Sequence, residues 1–190
     1  MGATGDYKLI RSRRRTISVE ITDDAGILVR APLRAPVKEI EDFLDRNADW
    51  IRKNVDKAAA RNRKVQQIPP LSRQDVVSIA NEALYVIPRK VRYYADLLGV
   101  TYGHITIRNQ KTLWGSCSAK GDLNFNCILV KAPENVQNYV IVHELCHRLE
   151  MNHSRAFWKH VEAHCPDYKK CRKWLAEEGS VLMSALGNVR

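Results

Sequence analysis

Between Tyr7 and Pro32 apolar and polar positions alternate. Ile17, Val19 and Ile21 point one way and Ser18 and Glu20 the other, and Asp23-Asp24-Ala25-Gly26 then turns the chain into Ile27-Leu28-Val29. The pattern predicts a small antiparallel β-meander. Val37, Ile40, Phe43, Leu44, Ala48, Ile51 and Val55 then recur at helical spacing behind Pro36, which suits a first helical position, so one amphipathic helix follows. Arg61 to Leu71 carries three basic residues, two glutamines and Pro69-Pro70 with no period of either kind, and reads as a linker. The expected organisation is an N-terminal meander and helix over residues 1–66 and a second domain over 72–190.

Ser72 and Asp75 resemble a capping box, and Val76, Ile79, Ala80, Ala83 and Leu84 continue a helix that Pro88 is expected to end or kink. A second helical piece stops at Gly99. Three strand-like runs follow, His104 to Arg108, Thr112 to Ser118 and Leu123 to Val130, the latter two joined by Ala119-Lys120-Gly121-Asp122. Beyond Pro133 the pattern is helical through Glu150, and a last helix is expected from about Ser154 to Glu178. The fold class is α+β.

Composition narrows the function classes. With 190 residues, 45% hydrophobic and 27% charged, the chain has the balance of a soluble globular protein rather than a disordered tail. Its apolar runs, such as Cys127 to Val130 and Tyr139 to Val142, fall far short of the roughly 20 residues that span a bilayer, and Asp6 stands where a myristoylation signal wants Ser or Thr. An odd set of five cysteines predicts reduced thiols and a cytoplasmic protein. The net charge of +10 attracts polyanions at low salt. Arg11, Arg13 and Arg15 alternate along a predicted strand at about 6.6 Å, near a phosphate repeat, and are candidate contacts to nucleic acid or nucleotide, set against an ordinary solvated sheet face.

His143-Glu144-Leu145-Cys146-His147 is an H-E-x-x-H motif inside a predicted helix. Residues i and i+4 sit about 40° apart on a helix and one turn up, so both imidazoles reach one metal and Glu144 can hold a water beside it. Val136, Tyr139, Val140, Ile141, Val142, Leu145, Cys146 and Leu149 surround the whole helix, which marks it as buried on nearly every side. A carboxylate there is costly without a cation. His153 lies six residues after His147, roughly 240° around a continuous helix and out of reach, so the helix must end first. Asn152 is expected to close it in the left-handed conformation, and Ser154 to cap the next helix. The competing third ligand is Glu162 on the later helix, as in a gluzincin. His160, His164, Cys165 and Cys171 fit no familiar second metal site, and Cys146 reads as core.

Trp114-Gly115-Ser116-Cys117-Ser118, Asn124-Phe125-Asn126, Pro133, Tyr139-Val140, His143 to His147, Asn152-His153-Ser154 and Phe157-Trp158 together resemble the YgjP-like metallopeptidase family, related to the SprT and WLM groups of zincins. Glu150 stands where a metzincin has its helix-breaking glycine, so the chain is not a metzincin. The resemblance implies a zincin-like domain, one Zn²⁺ per chain held by His143, His147 and His153, and Glu144 as catalytic carboxylate. Three ligands would leave a coordination position for a water whose proton Glu144 accepts during peptide bond hydrolysis. The Thr112 to Ser118 strand is the candidate edge for a peptide or protein substrate, and Tyr139, Tyr168, Arg155 and His104 are candidate oxyanion partners. Two alternatives stay open: a metal-dependent nucleotide or phosphoester hydrolase, and a basic nucleic-acid-associated module with a structural zinc.

Overall fold

The computed structural model describes residues 6–69, 71–110 and 112–187, which divide into two units, Met1–Gln67 and Ile68–Arg190, each with its own hydrophobic core. The chain is mixed α+β, as expected.

The first unit holds strands β1 (Tyr7–Ser12), β2 (Ser18–Ile21) and β3 (Ile27–Pro32) and helices α1 (Val37–Arg46) and α2 (Ala48–Gln67). β2 and β3 form the expected antiparallel hairpin, closed where Ala25 adopts φ 66°. The sheet is nevertheless not a meander, because β1 runs parallel to β3 and the order is β1-β3-β2. The arrangement follows burial: β3 carries the fully buried Val29 and Ala31, and the central position covers it on both sides, whereas β2 presents the exposed Glu20. Two helices replace the predicted one, since the chain breaks at Asn47, whose side chain donates back to the Phe43 carbonyl at 2.7 Å. The predicted linker is helical as far as Gln67. Its polar residues lack an apolar period because they bind rather than bury: Arg61 donates to the Asp23 carboxylate at 2.8 Å and Asn62 to the Asp23 carbonyl at 2.6 Å.

The arginine stripe does not form. β1 ends at Ser12, so Arg13 and Arg15 lie in the connection to β2 and share no strand face with Arg11. Arg11 is committed elsewhere, its Nη1 donating to the carbonyls of Pro32, Leu33 and Ala35 at 3.1, 3.2 and 2.7 Å. Nothing in this arrangement supports nucleic-acid binding.

In the second unit α3 (Arg73–Leu98) starts at the expected Ser72–Asp75 capping box and ends at Gly99, φ 66°. Pro88 sits inside it without ending it. The carbonyl deprived of its partner belongs to Leu84, on the exposed face, where water can replace the lost hydrogen bond. Strands β4 (Ile105–Arg108), β5 (Gly115–Cys117) and β6 (Leu123–Asn126) form a sheet ordered β4-β6-β5, with β6 parallel to β4 and antiparallel to β5. The third run does not continue as a strand to Val130. Fully buried Asn126 accepts from the Ile128 N–H and starts a 3₁₀ turn over Cys127–Lys131, while its amide donates to the carbonyls of Gln110 and Leu113. Helices α4 (Glu134–Cys146), α5 (Arg155–His164), α6 (Tyr168–Trp174) and α7 (Ser180–Gly187) complete the unit, with a π-helical turn over Leu175–Gly179. The single last helix predicted from the sequence is broken because Pro166 excludes Cys165 from helical geometry, leaving it at φ −138° and ψ 77°. Among the described residues no helix is long and apolar enough to cross a membrane.

Removing the Arg11 guanidinium leaves three backbone carbonyls short of a donor. Arg11→Met should therefore destabilise the first unit by about 1–2 kcal/mol, read as faster amide hydrogen exchange along β3. Arg13→Met should change that exchange by less than about 0.5 kcal/mol; equal effects would show that the hydrogen bonds of Arg11 contribute nothing specific.

Candidate metal centre

Helix α4 buries Val136, Tyr139, Val140, Ile141, Val142, Leu145 and Cys146 around its circumference, so the polar side chains it carries are forced into an apolar surrounding. It ends at Cys146, one turn before the sequence pattern suggests. The N–H groups of His147, Arg148 and Leu149 bond three residues back, to Glu144, Leu145 and Cys146, tightening the last turn. Asn152 does not close the helix in the left-handed region: Ala25 is the one non-glycine residue with positive φ among those described. Ser154 does cap α5 as expected, its hydroxyl accepting from the Phe157 N–H at 3.2 Å.

The early stop brings His153 back over α4. One ligand atom from each of His143, His147 and His153 lies within 4.8 Å of the others, and the Nε2 atoms of His143 and His153 are 3.0 Å apart. Tetrahedral ligands about 2.0–2.1 Å from an ion are separated by about 3.3 Å, so this spacing suits one small cation. The nitrogens also present lone pairs. His147 Nδ1 lies 3.1 Å from the Glu150 carbonyl, which only accepts, so Nδ1 carries the proton and Nε2 is free. The His143 Nδ1 meets the Tyr139 hydroxyl at 3.5 Å on the side away from His153. Burial first, then His147 and His153, pulls the pKa of His143 down to about 3, which keeps it in the neutral, ligating form. The donor set therefore fits a divalent first-row metal. Glu162 is exposed on α5 and stands outside the cluster, as do His160, His164, Cys165 and Cys171.

Glu144 is 7% exposed, and among the described residues no cation or hydrogen-bond donor partners its carboxylate, so burial pushes its pKa up to about 8. It points at β5. A Cβ on Gly115 would meet Glu144 Cγ at 2.9 Å and Oε1 at 3.0 Å, so this strand position accepts the carboxylate only as glycine. β5 is an edge strand. Asn126 donates to the Trp114 carbonyl and Ser118 to the Asp122 carbonyl, both at 2.9 Å, so the alternation turns the main-chain groups of Gly115 and Cys117 toward the open edge, beside Glu144.

The sequence singles out the histidines and Glu144; the structure brings the three imidazoles together, and Glu144, next to His143 on α4, turns its side chain against Gly115 of β5. The other expectations scatter. Tyr139 sits behind His143, Tyr168 is buried in a ring stack, and Arg155 and His104 are exposed at the starts of α5 and β4. Arg172 was missed. Its guanidinium carbon lies 4.6 Å from the ring of Trp158, which itself stacks on His153, and no spacing signal links positions on separate helices.

Residues 15–82 and 73–178 match the family model described as YgjP-like, metallopeptidase domain. Comparison with curated proteins gives no match. Among solved structures, the metallopeptidase zymogen of Pyrococcus abyssi abylysin is similar over 49% of this chain and 96% of its own, with 22% identity and a TM-score of 0.42. The metallopeptidase zymogen of Methanocaldococcus jannaschii jannalysin is similar over 47% and 96%, with 24% identity and a TM-score of 0.40.

Without metal, the buried carboxylate gives the fold a pH signature. Glu144 rises from 4.5 to about 8 on folding, so its contribution to stability is fully present below 4.5 and is lost as pH rises through about 8. His143 falls from 6.5 to about 3, so its contribution is present above 6.5 and is lost toward acid. Above 6.5 the unfolded imidazole becomes progressively neutral and its effect dies away, which leaves the carboxylate as the dominant titrating group up to about 8. Urea unfolding in chelator should show stability falling with pH across this window, and Glu144→Gln should flatten the fall. An unchanged slope in the variant would mean that the carboxyl is hydrated rather than buried.

Proposed function

The chain belongs to the YgjP-like metallopeptidase family, and from that premise we propose that it cleaves peptide bonds with one Zn²⁺ held by His143, His147 and His153 and with Glu144 as general base. The observation that carries this reading is the convergence of three imidazole nitrogens within 4.8 Å of one another beside an unpartnered buried carboxylate. Membership of a metallopeptidase family implies a divalent metal, and an all-imidazole set favours zinc among the common ones. The ion would supply a Lewis acid that polarises the scissile carbonyl and lowers the pKa of a coordinated water. A purely structural zinc is closed by four protein ligands, commonly thiolates; here the cluster has three, and all five cysteines stand outside it.

The chemistry belongs to residues 72–190. An extended peptide pairs with the main-chain groups of Gly115 and Cys117 on the open edge of β5 and gains a strand's hydrogen bonds without demanding a particular side chain. That places its carbonyl next to Glu144. With the divalent ion in place its positive charge would favour the ionised carboxylate, and Glu144 would take a proton from the attacking water and pass it to the leaving nitrogen. The Glu150 carbonyl and the Tyr139 hydroxyl hold the outer nitrogens of His147 and His143, fixing which face of each ring looks inward.

Glu144→Gln should retain about one zinc per chain by elemental analysis while cleavage of an unfolded protein substrate falls roughly 10²–10⁴-fold. His153→Ala should lose metal and activity together, with a weakening of zinc affinity of about 10-fold or more; retention of zinc in that variant, with loss in Glu162→Ala, would move the third ligand to Glu162. Gly115→Ala tests the strand. Its methyl must displace the Glu144 side chain, so kcat should drop at least about tenfold with zinc content unchanged. Full activity in Gly115→Ala would show that Glu144 does not work from the position it occupies against β5.

A further inference from the structure

One ring away from the imidazoles stands a cation that the peptidase reading does not use. Arg172, exposed on α6, rests over the Trp158 ring with its guanidinium carbon 4.6 Å from the centroid. Trp158 stacks on His153 at 5.7 Å and 23°, lies 5.8 Å from the His143 ring, and stacks on buried Tyr168 at 5.3 Å and 20°. The tryptophan is thus clamped between the metal centre and the core, and the arginine is clamped on the tryptophan. Among the described residues no carboxylate or carbonyl takes the guanidinium hydrogens.

A guanidinium held by a cation–π contact, with no acceptor on its hydrogens, keeps its donors available in the fork that matches a carboxylate bidentately. Its long side chain is already ordered by the stack, so little entropy remains to be lost on binding. Arg172 supplies a positive charge one ring away from the imidazole cluster, which favours an anionic ligand there. The geometry points to Arg172 as a specificity residue that takes a peptide carboxylate near the scissile bond. That carboxylate comes either from an acidic side chain or from the peptide's own C-terminus, and the inference rests on the peptidase reading of the neighbouring cluster.

The test uses the zinc-loaded full chain and quenched fluorescent peptides of one sequence carrying Glu, Gln or Lys next to the cleaved bond, each with a free or an amidated C-terminus. Wild type should prefer a carboxylate roughly tenfold in kcat/KM, mostly through KM. If Glu peptides are favoured whatever the C-terminus, the source is a side chain; if free ends are favoured whatever the side chain, it is the terminal carboxylate. Arg172→Gln should bring the preferred-to-neutral ratio close to one, and Arg172→Glu should turn the preference toward Lys, a reversal that damage to packing cannot produce. Peptide affinity read from tryptophan fluorescence makes the same comparison without turnover. Equal affinity of wild type for Glu, Gln and amidated peptides, or a ratio that survives in Arg172→Gln, overturns the proposal. A binding preference lost in Arg172→Gln, with no peptide cleaved, would support the carboxylate site and overturn the peptidase reading instead.

Discussion

The site is built around the cost of placing a carboxylate and imidazoles on a helix that is apolar on every side. Helix α4 buries Leu145 and Cys146 within the motif and Ile141 and Val142 just before it, so Glu144 is left with little contact with water. An ionised carboxylate in such a place costs several kcal/mol unless a cation compensates it. Among the described residues no cation is supplied there: Arg148, the nearest arginine in sequence, turns away to the carbonyls of Thr101 and Ala119 at 3.0 and 3.4 Å. Without a cation the carboxyl stays protonated up to about 8, while His153 converges on the same region as the other two imidazoles.

The surrounding elements answer to that demand. Helix α4 has to stop at Cys146 for His153 to return, and it stops by tightening its last turn, so that the Glu150 carbonyl becomes available to orient His147. The Trp114 to Ser118 block performs a different task at each residue. Trp114 packs into the core, and a Cβ on Gly179 would come within 2.9 Å of its ring, so the π-helical turn lies tight against it. Gly115 makes room for Glu144. Ser116, opposite Asn124 in the register, accepts from that residue's amide at 3.3 Å, and Ser118 accepts from the Asp122 N–H at 3.0 Å to hold the turn into β6. A short strand specified this closely is a rigid edge, and a rigid edge is what an extended substrate needs in order to be held in register.

Legibility in the sequence divided along the range of the interactions. Capping at Ser72 and Ser154 and the stop at Gly99 depend on residues a few positions apart, and the sequence displays them. The i, i+4 histidines are equally local. What it hid depends on partners far along the chain. The parallel pairing of β1 with β3 is a choice of which strand becomes central, decided by the burial of Val29 and Ala31. The helical run to Gln67 looks like a linker because its polar side chains are occupied with Asp23, nearly forty positions earlier. Arg11 looked like half of a phosphate-binding stripe for the same reason: a strand period places a side chain on a face but says nothing about the carbonyls that wait for it. The third histidine stood between these cases, since its reach depends on a helix break that sequence can suggest but whose dihedrals it misplaced at Asn152.

The same distinction bears on why the metal centre is asymmetric in exposure. His143 is partly buried and Glu144 almost wholly so, whereas His153 lies on an exposed corner and owes its direction to Trp158 stacked against it and to Ser154 behind it. The two imidazoles on α4 are held by the helix and its core contacts; the third is held by a ring whose other neighbours, Tyr168 and Arg172, belong to α6. Packing at α6 is therefore transmitted through one indole to one imidazole, a shorter path than any that runs through the backbone. An opening of the α5–α6 corner at Pro166 would loosen His153 without unfolding α4. The convergence of the three imidazoles and the integrity of that aromatic stack are for this reason one property of the fold, located at the corner where the helix predicted to be continuous is broken.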